Sequence, residues 1–222
     1  MYFCLMRIML ASATSKEVQP VIEWMESNRF ADVELLITGV GGVCTAYALT
    51  RSIAQKKPDI IIQAGIGGSY LPDYPPGSAV LIAEEVFADL GAIEQNELTD
   101  VFDMGFVAIN ATPFSGRMLA NPSRKRFEPY GIPFVRGATV NTISSTPEQV
   151  TVIKNKYDPV IESMEGAALH YVCLLENIPF LQLRAVSNFA GDRHKSRWKI
   201  QEAIAVLNDR LQQIITGLIN TR

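Results

Sequence analysis

Residues 59–68 read DIIIQAGIGG, from Asp59 to Gly68. Apolar side chains on consecutive positions, with no polar alternation, are the pattern of a strand covered on both faces. The glycines that follow let backbone approach a ligand closely and let N–H groups converge on it. Outward from this run the same pattern recurs at Arg7–Ala11, Glu34–Thr38, Ala79–Asp89, Phe134–Val140, Pro159–Glu162 and Phe180–Ser187. Between these stand helical patterns at Lys16–Asn28, Val43–Lys56, Pro147–Tyr157, Met164–Glu176 and Ile200–Ile219. Thr146-Pro147-Glu148-Gln149 marks a helix start, with a Thr cap, Pro first and Gln third. The alternation predicts one three-layer α/β domain over residues 1–222, with a mostly parallel or mixed sheet flanked by helices. Ala79–Asp89 runs into Leu90–Ile93 with few breakers, so the sheet is expected to curl. Glu94–Arg136 holds Pro113, Pro122, Pro129 and Pro133 and is expected to be loops with one short helix.

A chain of 222 residues buries roughly 70% of its unfolded surface, enough for a core without staples. Its 48% hydrophobic share excludes long disorder. A net charge of −3 with no basic stripe argues against a nucleic-acid partner. Cys4, Cys44 and Cys173 lie far apart in apolar settings and read as reduced thiols of a cytoplasmic protein. The opening MYFCLMRIMLASAT is too short for a membrane span of about 20 apolar residues. Its Arg7 interrupts the apolar run instead of preceding it, as a signal peptide requires. It is expected to be a first core strand, with no membrane partner. His170 and His194, the only histidines, supply a zinc site poorly, and GxxxxGK[ST] does not occur. No metal or organic cofactor is called for.

Several segments carry candidate chemistry. Gly39-Val40-Gly41-Gly42 and Gly65-Ile66-Gly67-Gly68 each follow a predicted strand. Neither is a dinucleotide fingerprint, because Cys44 and Tyr70 stand where the third glycine belongs. They are either tight turns or, at carboxyl ends of adjacent strands, the rim of a ligand site. In Thr14-Ser15-Lys16-Glu17 the carboxylate of Glu17 either closes a capping box on Thr14 or activates a water. Glu162 and Glu165 stand where a buried strand becomes an Ala-rich helix start, costly company for a carboxylate unless it is paired. Glu165 suits a helix N-terminus, and it also suits the two hydroxyls of a vicinal diol such as ribose. Asn188 just past Phe180–Ser187 is a turn residue or a ligand, and Arg193–Lys199 is a solvated basic loop or a pocket wall.

Taken together, SKEV at Ser15–Val18, TGVGGVCTA at Thr38–Ala46, QAGIGG at Gln63–Gly68, ESMEGAA at Glu162–Ala168 and RAVSN at Arg184–Asn188 resemble the purine nucleoside phosphorylase and nucleosidase superfamily. SNFAGDRHKSRWKI at Ser187–Ile200 is similar to the futalosine hydrolases, where methylthioadenosine nucleosidases carry Ser-Asp. The resemblance implies hydrolysis of an N-ribosyl bond, that of futalosine on the path to menaquinone, through an oxocarbenium-like transition state. It implies Glu17 as the group activating water and Glu165 on the ribose diol, with Met164 beneath the sugar. Gly65 and Ile66 would lie beside base and sugar, Val40 near the nucleophile. Val140 and Asn141 fall at the base-flanking strand end, where an aromatic is common and this chain has none. Phe189 would then supply a stacking face. Asn188, with two donors on its nitrogen, suits N7 and the 6-oxo group of hypoxanthine. Arg193, His194, Lys195 and Arg197 are the candidates to meet the aromatic carboxylate of the 5′ substituent. The resemblance also implies a homo-oligomer built from dimers, with Phe102, Phe106 and Phe114 as residues a neighbour lends. Lys16 is the only basic residue near the motifs, which favours hydrolysis over phosphorolysis. The alternatives are a methylthioadenosine/S-adenosylhomocysteine-type nucleosidase, a phosphorylase, and a non-catalytic purine-binding protein.

Overall fold

The computed structural model describes residues 6–28, 30 and 32–220, so Cys4 and residues 1–5 of the opening apolar run lie outside the described residues. The strands are β1 (Ile8–Ser12), β2 (Val33–Ile37), β3 (Ile60–Ser69), β4 (Ala79–Phe87), β5 (Gly91–Glu94), β6 (Glu97–Asp100), β7 (Leu119–Ala120), β8 (Phe134–Thr139), β9 (Ile161–Ser163) and β10 (Phe180–Phe189). The helices are α1 (Ser15–Asn28), α2 (Gly42–Gln55), α3 (Pro147–Tyr157), α4 (Gly166–Glu176) and α5 (Ile200–Asn220). The main sheet runs β10-β4-β8-β9-β3-β1-β2, and β10 also pairs with β3. That extra pairing closes five strands on themselves and leaves β1 and β2 as an open wing. Pairs β1–β2, β1–β3, β3–β10, β4–β8 and β8–β9 are parallel, while β4–β10 and β3–β9 are antiparallel. The predicted mixed, curled sheet flanked by helices is therefore the observed one.

The consecutive isoleucines of β3 are explained by what covers each face. Ile60 and Ile62 join Val18 and Val21 of α1 and Leu207, Leu211 and Ile214 of α5. Ile61 points the other way, to Leu49 and Ile53 of α2 and Leu169 and Cys173 of α4. Two helix layers thus use alternate residues of one strand, which removes any polar alternation from it. A third cluster packs Val152 and Ile153 of α3 on Val86, Ala138 and Val140. Thr146 caps α3 as the sequence predicts, its Oγ1 accepting from the Gln149 N–H at 3.3 Å.

Three expectations are corrected. Gly65-Ile66-Gly67-Gly68 is no turn: β3 continues through it to Ser69, paired with β10 from Arg184 to Phe189. Glycine is needed there because neighbours pass close, the Glu162 carbonyl over Gly67 and the Arg184 guanidinium over Gly65. Nor are the two glycine clusters on adjacent strands, since β1 lies between β2 and β3. In place of the loops with one short helix expected over Glu94–Arg136, the chain closes a hairpin of β5 on β6 that begins at Gly91, then forms the short β7 paired with β4 and a 3-10 turn at Arg124–Tyr130. The hairpin turns on Gln95 and Asn96, both at positive φ, a pair that lacks the glycine by which such turns are usually recognised. Among the described residues no helix is long and apolar enough to cross a membrane.

Candidate active site

β1 delivers the chain into α1 at the carboxyl end of the sheet, and Glu17 sits in the first turn. Its Oε2 accepts from the Thr14 N–H at 3.1 Å and the Thr14 hydroxyl at 2.9 Å, so the carboxylate half of the expected capping box is formed, with the hydroxyl donating to the carboxylate. Its Oε1 accepts from the Ile66 N–H at 3.1 Å. The two readings of Glu17 are not rivals: the cap fixes the carboxylate, and the fixed carboxylate lines a cavity. Pro20 interrupts α1 one turn further on. The buried Asn208 of α5 repairs the interruption, accepting from the Val21 N–H at 3.0 Å and donating to the Glu17 carbonyl at 2.9 Å. In an unbroken helix those two backbone groups would bond each other.

The cavity measures about 760 Å³, the size of a small-molecule site. Glu17, Val40, Ile66, Met164, Glu165 and Asn188, named from the sequence on separate segments, all line it. Glu165 ends the β9–α4 connection and is almost buried. Its Oε1 accepts from the Gly41 N–H at 3.1 Å and its Oε2 from Arg184 Nη2 at 3.3 Å. Gly41 holds φ +92°, a left-handed conformation open to glycine, and so presents its N–H to that carboxylate. Arg184 also donates to Gln63 Oε1 at 3.1 Å and to the Ile66 carbonyl at 3.3 Å. Arg184 gives the Glu165 carboxylate an ion-pair partner inside the protein, where a lone carboxylate would be costly. Glu162 is paired differently, accepting from the Tyr70 hydroxyl at 2.5 Å, the Ser144 N–H at 3.1 Å and the Ser144 hydroxyl. Burial, with the Glu162 charge behind it, pushes the Tyr70 hydroxyl far above its ordinary range.

Asn188 Oδ1 accepts from the Ser187 hydroxyl at 2.8 Å, which fixes the amide's orientation, and its Nδ2 donates to the Phe189 carbonyl at 2.9 Å. One N–H therefore remains for a ligand, where the sequence reading expected two. The other named residues fall outside the lining. Gly65 lies behind it, against Glu17 and Arg184. Val140 is buried in the α3 cluster, and Asn141 bonds Asp89 through its N–H at 2.5 Å and its Nδ2 at 3.1 Å. Ile143, two residues on, reaches the cavity in their place. Phe189 is half exposed to solvent. Arg193 stacks on Trp198 at 5.2 Å, and only Trp198 reaches the wall. Neither His194, Lys195 nor Arg197 lines it; among the described lining residues the cation is Lys16. Phe102 and Phe114 pack on each other at 5.1 Å beside a separate cavity, and Phe106 is exposed. Sequence reasoning missed the role of Arg184, quoted only as part of a motif, and missed Asn208 entirely.

A partly closed mixed sheet with helices on both sides thus brings two carboxylates from different strand ends into one cavity of small-molecule size. Residues 29–220 match the model of a family described as Phosphorylase superfamily. The chain is 31% identical over 184 residues to a futalosine hydrolase of Thermus thermophilus, covering 81% of this chain and 80% of that one. It is 25% identical over 192 residues to a 5′-methylthioadenosine/S-adenosylhomocysteine nucleosidase of Haemophilus ducreyi, covering 85% and 80%. In fold it is similar to the solved futalosine hydrolase of Helicobacter pylori, at a TM-score of 0.77 and 14% identity over 96% of this chain and 98% of that one. The chain belongs to the phosphorylase superfamily, and it is an N-glycosyl hydrolase.

Proposed function

We propose that this protein hydrolyses the N-ribosyl bond of a 6-oxopurine nucleoside, and that its substrate is futalosine, split to hypoxanthine and dehypoxanthine futalosine in cytoplasmic menaquinone synthesis. The observation that carries the reaction is the convergence of Glu17, Glu165 and Asn188 on one cavity. Glu17, held by backbone and hydroxyl donors, takes a proton from the attacking water, a contribution of about 10²–10⁴ in rate. Glu165, oriented by Arg184 and Gly41, accepts from the ribose hydroxyls and grips harder as the ring flattens toward the oxocarbenium ion. The free N–H of Asn188 stabilises the negative charge that develops on the leaving purine.

The shape of the cavity supports a long 5′ substituent. It follows α1 from Thr14 past Gln19 to Glu23 and crosses to Gln201 of α5. Nine residues of helix rise about 14 Å, more than a ribose occupies. Lys16 stands on that wall and makes no bond of its own among the described residues, so it takes the carboxylate role first given to Arg193 and its neighbours. No other cation of the lining is available for phosphate, which supports water as the nucleophile. Exposed apolar side chains at Val40, Val43 and Tyr47 support the homo-oligomer built from dimers.

Base release from futalosine, inosine and methylthioadenosine tests the substrate. Hypoxanthine from futalosine is expected, with Lys16→Ala raising KM for futalosine and leaving inosine unaffected. Adenine from methylthioadenosine as the main product would overturn the assignment.

A further inference from the structure

Beneath the cavity lies a layer of buried polar groups that the reaction does not touch. Glu85 of β4 is 1% exposed. Its Oε1 accepts from Gln182 Nε2 at 2.8 Å and its Oε2 from the Thr139 hydroxyl at 3.0 Å. That hydroxyl in turn accepts from the Ala167 N–H, in the first turn of α4, at 2.7 Å. Space for the carboxyl is cut from two elements. A Cβ on Gly137 of β8, or on Gly166 at the start of α4, would overlap Glu85 Oε1.

The first N–H groups of a helix need acceptors, and the N-cap side chain ordinarily supplies one. The N-cap of α4 is Glu165, and its side chain makes no cap bond because it is turned to Gly41 and Arg184. Thr139 caps α4 from a neighbouring strand instead. A hydroxyl has one proton, so while Glu85 takes that proton the oxygen's lone pairs stay directed at Ala167. On the other side Gln182 stands two residues before Arg184 on β10, on the same face of the strand. Glu85 thus holds both the hydroxyl that caps α4 in place of Glu165 and the β10 side chain two residues before Arg184.

We propose that Glu85 is a positioning residue for the reaction: by fixing Thr139 and Gln182 it releases Glu165 from capping α4 and aims its carboxylate into the cavity. The inference rests on Glu165 as the ligand of the sugar hydroxyls. Burial pushes the Glu85 carboxyl up to about 7, while the Gln182 donor, the Arg184 charge and the Thr139 hydroxyl work to keep it ionised.

The test measures kcat/KM on a ribonucleoside for Glu85→Gln and Thr139→Val, each alone and combined with Glu165→Ala, with thermal midpoints alongside. Each single variant is expected to lower kcat/KM by about tenfold, Thr139→Ser to restore it, and neither change to matter further once Glu165 is alanine. If Glu165→Ala alone is harmless, the reading of Glu165 falls and this proposal falls with it. If Glu165→Ala is damaging but Thr139→Val lowers only the thermal midpoint, or multiplies fully with Glu165→Ala, the proposal is overturned and the role of Glu165 stands. Thr139→Val removes one hydroxyl at constant shape, so it carries the test should Glu85→Gln not fold.

Discussion

Glu17 does two things with one carboxylate, and a single substitution separates them. Glu17→Gln keeps an oxygen for the Thr14 N–H, so the helix start survives with a loss of about 1 kcal/mol or less. The same change removes the proton acceptor, and kcat is expected to fall by about 10²–10⁴, read by steady-state base release. Wild-type turnover would remove Glu17 from the reaction. Asn188 is the second residue whose chemistry can be rewritten. Asn188→Asp replaces the one free N–H by an acceptor or an acid, and preference is expected to move from 6-oxo toward 6-amino purines. An unchanged ratio of kcat/KM for inosine and adenosine would contradict the role of the carboxamide.

Elements hold these residues in place, chiefly α1, α4 and α5. Asn208→Leu fills the space but abandons the buried Val21 N–H and the partly buried Glu17 carbonyl. A loss of about 1–3 kcal/mol in denaturant unfolding is expected, with kcat lowered because Glu17 rides on the same turn. A variant as stable as wild type would mean that α1 closes its own break. His170 on α4 donates through Nδ1 to the Leu119 carbonyl at 2.7 Å, and burial lowers its pKa to about 4. The unfolded chain binds a proton there below about 6.5 and the folded one does not. Stability from His170 is therefore complete above about 6.5 and is lost as the pH falls toward 4. A His170→Gln variant is expected to show a flatter acid limb in thermal unfolding across that window.

What the sequence revealed follows from the same physics. Runs such as Ile60–Ala64 are legible because burial on two faces erases alternation, and α3 because Thr146 and Pro147 are local signals. The β5–β6 hairpin is not legible, since Gln95-Asn96 carries the turn without glycine. Arg184, Asn208 and Glu85 were hidden for another reason. Each is a polar residue in an apolar element whose partners lie far along the chain, and spacing carries no trace of such pairs. Val140 and Asn141 show the converse: a strand end was located correctly, but the chain travels two residues further, to Ile143, before it meets the cavity.

The whole molecule places the wing of β1 and β2 beside the closed part of the sheet, with the cavity between α1, the start of α5 and the β9–α4 connection. Val43 and Tyr47, four residues apart on α2, are 81% and 65% exposed, on the helix that follows Val40 of the cavity lining. If this face joins two copies, Val43→Glu with Tyr47→Glu is expected to yield a monomer of lowered kcat/KM, seen by light scattering. An unchanged mass would place the interface elsewhere. The central claim is that water, activated by Glu17, and not phosphate cleaves the bond in this cavity. Hypoxanthine release from futalosine, measured with and without inorganic phosphate, addresses it most directly. Equal rates in both conditions are predicted; release that requires phosphate would contradict the account.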